Sequence, residues 1–210
     1  MNGGADVARV VVPVATELMG ARDELNRLDG VAGDGDLGLT VINAARALID
    51  VAPSLTELSE ADAIRRCGTE IARKAPSTGG TLIAFALMAA AKADVGAEAS
   101  ATERAAAYLE AATTSVAQRG QVAPGDRTML DALAPGATAV RRVADASGDW
   151  KTAAREAAEA ADEGARATSA MTAKVGRAGW LAGRAAGHED AGARLVAMGF
   201  AAAARIEGQT

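Results

Sequence analysis

Half of this chain is apolar, yet only 2% of its 210 residues are aromatic, two Phe, two Trp and one Tyr. A core must therefore be assembled from Ala, Val, Leu, Ile and Met. Alanine has the highest helix propensity, and small side chains let helices approach one another closely. No segment shows the two-residue alternation of a half-buried strand. The expectation is an all-α fold in a single domain over residues 1–210.

Helical spacing and capping signals divide the chain. VARVVVPVATELM, from Val7, reads as a helix that Pro13 kinks or opens. LTVINAARALIDVA (39–52) reads as a helix stopping before Pro53. Ser59 starts another, ending near Lys74. TLIAFALMAAAKA (81–93) is apolar all round, as in a helix buried on most sides. Ser100-x-x-Glu103 is a capping box for a helix to about Gln118. Asp126 is a candidate cap for a helix toward Ala146, disturbed at Pro135. Asp149 caps one through Arg166, and a last helix covers Gly192 to Ile206. Half of the Gly and Pro fall in loops at 29–38, 75–80, 119–126 and 174–191.

The formal net charge is −5 and the pI about 5.0. That argues against a nucleic-acid partner, which needs a basic stripe, but not against a nucleotide held by a local positive site. Cys67 is the only cysteine. It fits a buried thiol in a reducing compartment. No signal-peptide pattern opens the sequence, and the apolar run at 82–91 is too short for a membrane span. A cytoplasmic protein with no membrane association is expected.

Four segments carry chemistry. DGVAGDGDLG (29–38) puts Asp29, Asp34 and Asp36 among four glycines. Clustered carboxylates repel one another unless a cation sits between them, and hard oxygen ligands suit Mg²⁺ or Ca²⁺. The bland alternative is a solvated acidic turn. GDGDLG matches G-x-G-x-x-G in form, but no strand precedes it. An EF-hand starting at Asp34 fails because its twelfth position is Ala45. APSTGGT (75–81) sets small and hydroxyl residues before a helix N-terminus, where unpaired N–H groups and the dipole favour an anion. The alternative there is an ordinary turn capped by Ser77 or Thr78. In RGQVAPGDRTMLDAL (119–133), Asp126 or Thr128 starts a helix, and Met129 belongs to the core or packs on a flat apolar ligand. In KVGRAGWLAGRAAGHEDAGA (174–193), Lys174, Arg177, Arg184 and His188 gather in one glycine-rich stretch. The alternative is a surface loop, with His188 a structural hydrogen-bonding residue rather than a general base.

Together, LNRLDGVAGDGDLGLT, STGG, RGQVAPGDRTMLDAL and GRAGWLAGRAAGHEDAGA resemble the nucleotide-binding L subunit or domain of the dihydroxyacetone kinase family, in order, over residues 20 to 200. The resemblance implies a barrel of about eight antiparallel helices with ATP or ADP at one end. It implies two Mg²⁺ ions on Asp29, Asp34 and Asp36. It places nucleotide contacts at Leu37, Ser77, Thr78, Gly79, Gly125, Thr128, Met129, Arg177 and Asp190.

Leu37 stands where the family loop often has histidine, and GDRTMLDAL resembles the type that uses ATP directly. STGGT departs from the usual GASGP or GSSGP, and GHEDAGA from GHQDPGA. The family's ketone is held by a separate subunit or domain that nothing in this sequence resembles, so half an enzyme is expected. The implied function is transfer of phosphate from ATP to dihydroxyacetone or a short ketose such as erythrulose on that partner subunit. One alternative is an L subunit that keeps ADP bound and is recharged by a phosphotransferase-system phosphoprotein. Another is a non-catalytic nucleotide sensor contacting a transcription regulator. Whether the chain forms a homodimer is left open.

Overall fold

The computed structural model describes residues 3–175 and 182–206. Its helices are α1 (Gly3–Met19), α2 (Arg22–Ala32), α3 (Leu37–Leu55), α4 (Glu60–Lys74), α5 (Thr78–Ala90), α6 (Ala101–Gly120), α7 (Leu130–Asp145), α8 (Trp150–Ala167), α9 (Ala182–Ala185) and α10 (Ala191–Ile206). A 3-10 turn, Thr168–Ala170, follows α8.

Eight of these helices form a closed ring of neighbours, α1, α3, α4, α5, α6, α7, α8 and α10, with α10 returning to α1. Packing fixes their directions. Ala44 packs in one cluster with Ala75 and Leu55 in another with Ala63, Ser115 donates to the Phe85 carbonyl, and Val116 shares a cluster with Leu130 while Ala106 shares one with Val143. Successive helices from α3 onward therefore alternate, as the barrel expectation requires. The N-termini of α3, α5, α7 and α10 gather at one end. There α2 lies across the ring and touches α3, α9 and α10.

Alanine sets how close the helices come. Ala132, Ala161, Ala165, Ala193 and Ala197 form one buried cluster shared by α7, α8 and α10. Pro135 lacks an N–H, so the Asp131 carbonyl loses its helical donor. Gly164 of α8 fits against that oxygen, which would lie 2.1 Å from a Cβ. This close packing carries α7 through Pro135 without a break. Side-chain pairs tie neighbours on the outside: Arg141 with Glu110, Arg142 with Glu156, and Arg205 with Glu17. Such exposed pairs contribute little each, roughly 0–1 kcal/mol.

The caps at Ser59, Ser100 and Asp149 form as read, Ser100 with both bonds of its box. Three readings are corrected. α3 runs through Pro53 to Leu55, because a proline in the last turn forfeits one bond while Val51, Ala52 and Leu55 stay buried. α5 begins at Thr78 rather than Thr81, and only Gly80, Ala84 and Ala90 of it are fully buried. Asp126 caps nothing, since α7 starts at Leu130. Cys67 is buried as expected, and burial pushes its thiol up to about 11.

Candidate functional site

The acidic segment is mostly helix. Asp29 sits in the last turn of α2, and only residues 33–36 form the turn into α3. Asp29 Oδ2 accepts the N–H of Gly35 at 2.9 Å, of Asp36 at 3.0 Å and of Leu37 at 3.4 Å. Asn26 Oδ1 accepts the N–H of Gly38 at 2.7 Å, so α2 ties down the first turn of α3 from a second residue. Gly35 has φ +77°, a conformation that L side chains resist. Gly33 is extended, but a Cβ there would lie 2.2 Å from Asp29 Oδ1.

The outcome is one carboxylate centre. Asp29, Asp34 and Asp36 each bring an oxygen within 4.8 Å of the others, with Asp29 half-buried and the other two exposed. An all-oxygen set of this kind fits a hard divalent cation. The backbone donors hold Asp29 in place and leave its other oxygen on the Gly33 side.

Residues 75–77 and the first turn of α5 lie near this centre. Ser77 caps α5, its Oγ accepting the N–H of Gly80 at 3.0 Å. The first-turn N–H groups of α5 have no acceptor within the helix. A Leu37 methyl lies 3.8 Å from the Cβ position of Gly79. The residue that follows the acidic turn thus lies near the helix start expected to face phosphate, within van der Waals reach of any side chain added at Gly79.

The other side of the same end is built from residues 123–131 and 185–192. Asp131 is buried, and its two oxygens accept the N–H groups of Gly125 and of Thr128, the latter at 2.7 Å. Thr128 Oγ1 accepts the N–H of Leu130 at 3.2 Å. Met129 packs on Val116, Leu130 and Leu133, as the core reading had it, and it also borders Gly192. Asp190 caps α10 by accepting the N–H of Ala193 at 2.8 Å, and its own N–H donates to Thr168 Oγ1. Burial pushes its carboxyl up to about 6; Ala193 and Arg127 oppose the rise, and the Asp131 carboxylate adds to it.

The expected cationic cluster is only partly assembled. Lys174 pairs with Asp126 at 2.8 Å, which holds the Asp126 carboxyl below the usual range. Arg184 is exposed, and Arg177 lies outside the described residues. The His188 side chain is exposed, while its backbone N–H donates to Ala185 and its carbonyl accepts from Arg127. Sequence reasoning passed over Asn26, Arg127 and Asp131. Thr128-x-x-Asp131 did carry a signal, the S/T-x-x-D/E pattern of a helix start.

An all-helical barrel with a three-carboxylate centre beside a capped helix N-terminus defines the class of protein. Comparison with known proteins agrees. Residues 31–205 match the DAK2 domain family. The chain is 38% identical over 200 residues to the D-erythrulose kinase of Mycolicibacterium smegmatis, covering 93% of this chain and 34% of that protein. It is 26% identical over 172 residues to the ADP-binding subunit DhaL of the PEP-dependent dihydroxyacetone kinase of Escherichia coli, covering 82% of each. The crystal structure of the C. freundii dihydroxyacetone kinase in complex with AMP-PNP and Mg²⁺ superposes with a TM-score of 0.70 at 26% identity, over 96% of this chain and 34% of that one. The chain belongs to the DAK2 domain family, the L-type domain of the dihydroxyacetone kinases. It spans about a third of the length of the erythrulose kinase it resembles.

Proposed function

We propose that residues 1–210 are the nucleotide-binding domain of a kinase that moves phosphate from ATP to dihydroxyacetone or a short ketose such as erythrulose, held on a separate ketose-binding subunit or domain in the cytoplasm. The observation that carries this reading is the Asp29–Asp34–Asp36 centre, whose next residue, Leu37, lies close to Gly79 in the first turn of α5. Asp29, Asp34 and Asp36 would hold two Mg²⁺ ions. When bound, Mg²⁺ neutralises phosphate charge, which is most of what phosphoryl transfer asks of a protein besides positioning.

The chain's own residues do the positioning. Leu37, Ser77, Thr78 and Gly79 border the phosphates, with first-turn N–H groups facing the anion. Gly125, Thr128 and Met129 border the adenine side, with Asp190 a further nucleotide contact; the resemblance adds Arg177, which lies outside the described residues, as a basic residue for the nucleotide. No general base is assigned to this domain. Asp34→Asn and Asp36→Asn test the reading, since each removes a charge and keeps the shape. Calorimetry should show Mg²⁺-dependent ADP binding for the wild type and its loss in both variants, with the helical circular dichroism unchanged. Wild-type affinity in both variants would refute the metal assignment.

A second reading draws support from the match to the E. coli ADP-binding subunit over most of both chains. In this reading, bound ADP would serve as a phosphate carrier recharged by a phosphotransferase-system phosphoprotein. ADP that survives dialysis of the purified protein would favour it, and fast exchange with free ATP would favour direct transfer.

A further inference from the structure

Arg127 is an unusual arginine. It is 4% exposed, and its backbone is left-handed, with φ +62°. Non-glycine residues seldom adopt that conformation, and when they do it is where the surroundings impose it. Its guanidinium crosses to a segment about sixty residues away. One terminal nitrogen donates to the Ala185 carbonyl at 3.1 Å and to the His188 carbonyl at 2.8 Å. Its Nε is buried and makes no hydrogen bond among the described residues. A buried cation is costly unless something is gained from its place. Arg127 also lies among the charges of this region, facing Asp190, which in turn feels Asp131.

Consider what each end of this bridge carries. The backbone on either side of Arg127 is held from within, by Asp131 through Gly125 and Thr128. The far end, Ala185 to His188, leads directly into Asp190 and Gly192, and the space beside Gly192 is flanked by Asp190 and Met129. Elsewhere the 125–131 segment is met by the Lys174 N–H, which donates to the Asp126 carbonyl at 3.3 Å.

We infer that Arg127 is a positioning residue for nucleotide binding, clamping the Ala185–His188 turn onto the 125–131 segment and so setting the spacing between Met129 and Asp190. The inference rests on the nucleotide reading above and extends it to a residue that need not touch the ligand. The clamp acts on the adenine side alone. The carboxylate centre and the α5 N-terminus are held by their own bonds and do not depend on it.

The test compares two ligands on two variants. Arg127→Gly removes the guanidinium and suits the left-handed backbone, so loss of binding cannot be laid to backbone strain. Arg127→Lys keeps a charged donor but not the planar fork. Calorimetry with Mg²⁺ should show ADP binding weakened by about ten- to hundredfold in R127G, as expected for losing charge-assisted bonds. Mg²⁺-pyrophosphate, which lacks the adenosine, should bind R127G as it binds the wild type, and R127K should recover part of the ADP affinity. Equal losses for ADP and pyrophosphate, or wild-type ADP affinity in R127G, would overturn the clamp. If R127G does not fold, R127K decides, by a loss confined to ADP or its absence. A wild type that binds pyrophosphate but not ADP would instead remove the nucleotide reading itself.

Discussion

A methyl carbon of Leu37 stands 3.8 Å from the point where a Cβ on Gly79 would lie. The acidic turn and the start of α5 therefore lie close together, with space at Gly79 for an added methyl. Gly79→Ala should have effects of opposite sign. In a helix, Ala is favoured over Gly by roughly 1 kcal/mol, and the new contact is of ordinary length, so unfolding in urea should shift to higher denaturant. Nucleotide affinity should fall, because the added methyl stands where phosphate oxygens would approach the first-turn N–H groups. Unchanged ADP affinity in a stabilised G79A would remove Gly79 from the phosphate site.

Gly33 offers a sharper probe of the carboxylate centre. Its backbone is extended and would accept any residue, but a Cβ would lie 2.2 Å from Asp29 Oδ1 and 2.9 Å from the Asp29 carbonyl oxygen. The carboxylate must then move, and its bonds to Gly35, Asp36 and Leu37 go with it. Gly33→Ala should cost about 1–3 kcal/mol, as overpacking does, and should abolish Mg²⁺-dependent ADP binding. Thermal unfolding and calorimetry on one preparation check both. A variant with normal stability and normal binding would show that Asp29 need not be held as it is.

Helices were legible where a local signal agreed with the packing. Ser59, Ser100 and Asp149 mark their helix starts because the capping bond is made within three residues. Pro53 misled because a last-turn proline is tolerated once Leu55 has a buried place to fill. Asp126 misled because its carboxylate serves the Ala123 N–H and Lys174 instead of a helix. The three aspartates were legible as a cluster, though not that Asp29 projects from a helix. Arg127 was not legible, since its partners are the Ala185 and His188 carbonyls, and no local pattern reports such a bond.

Asp190 should leave a mark on stability against pH. Burial raises its carboxyl from 3.8 to about 6. The folded state then binds this proton more tightly than the unfolded chain, so stability falls as pH rises between those values, and the deficit is complete above about 6. Two units correspond to about 3 kcal/mol as an order of magnitude. Asp190→Asn removes the charge and keeps an equally good cap for α10. D190N should therefore unfold at higher urea than the wild type at about pH 8, and the gap should close as pH falls toward about 4. The difference between the two proteins isolates this group from the other carboxylates. A gap that stays constant with pH, or a less stable D190N at the higher pH, would count against it.

The last prediction concerns what this domain does alone. The acceptor ketose has no site among the features described. The one histidine of the sequence, His188, is exposed and contributes its backbone to the Arg127 bridge. A polypeptide of these 210 residues, given Mg²⁺, ATP and dihydroxyacetone or erythrulose, should show essentially no turnover. Adding a cognate ketose-binding subunit should restore it, because holding the acceptor hydroxyl in line with the transferring phosphate supplies much of the rate, up to about 7–11 kcal/mol of barrier in well-oriented systems. The docking face should be the ring end bearing Asp34, Asp36 and Thr78, where exposed groups leave the phosphates open to an acceptor. A coupled assay that follows ADP release, run with and without the partner, decides the matter. A robust rate from the isolated polypeptide would refute the division of labour. Silence with ATP but activity with a phosphorylated carrier protein would transfer the case to the bound-ADP reading.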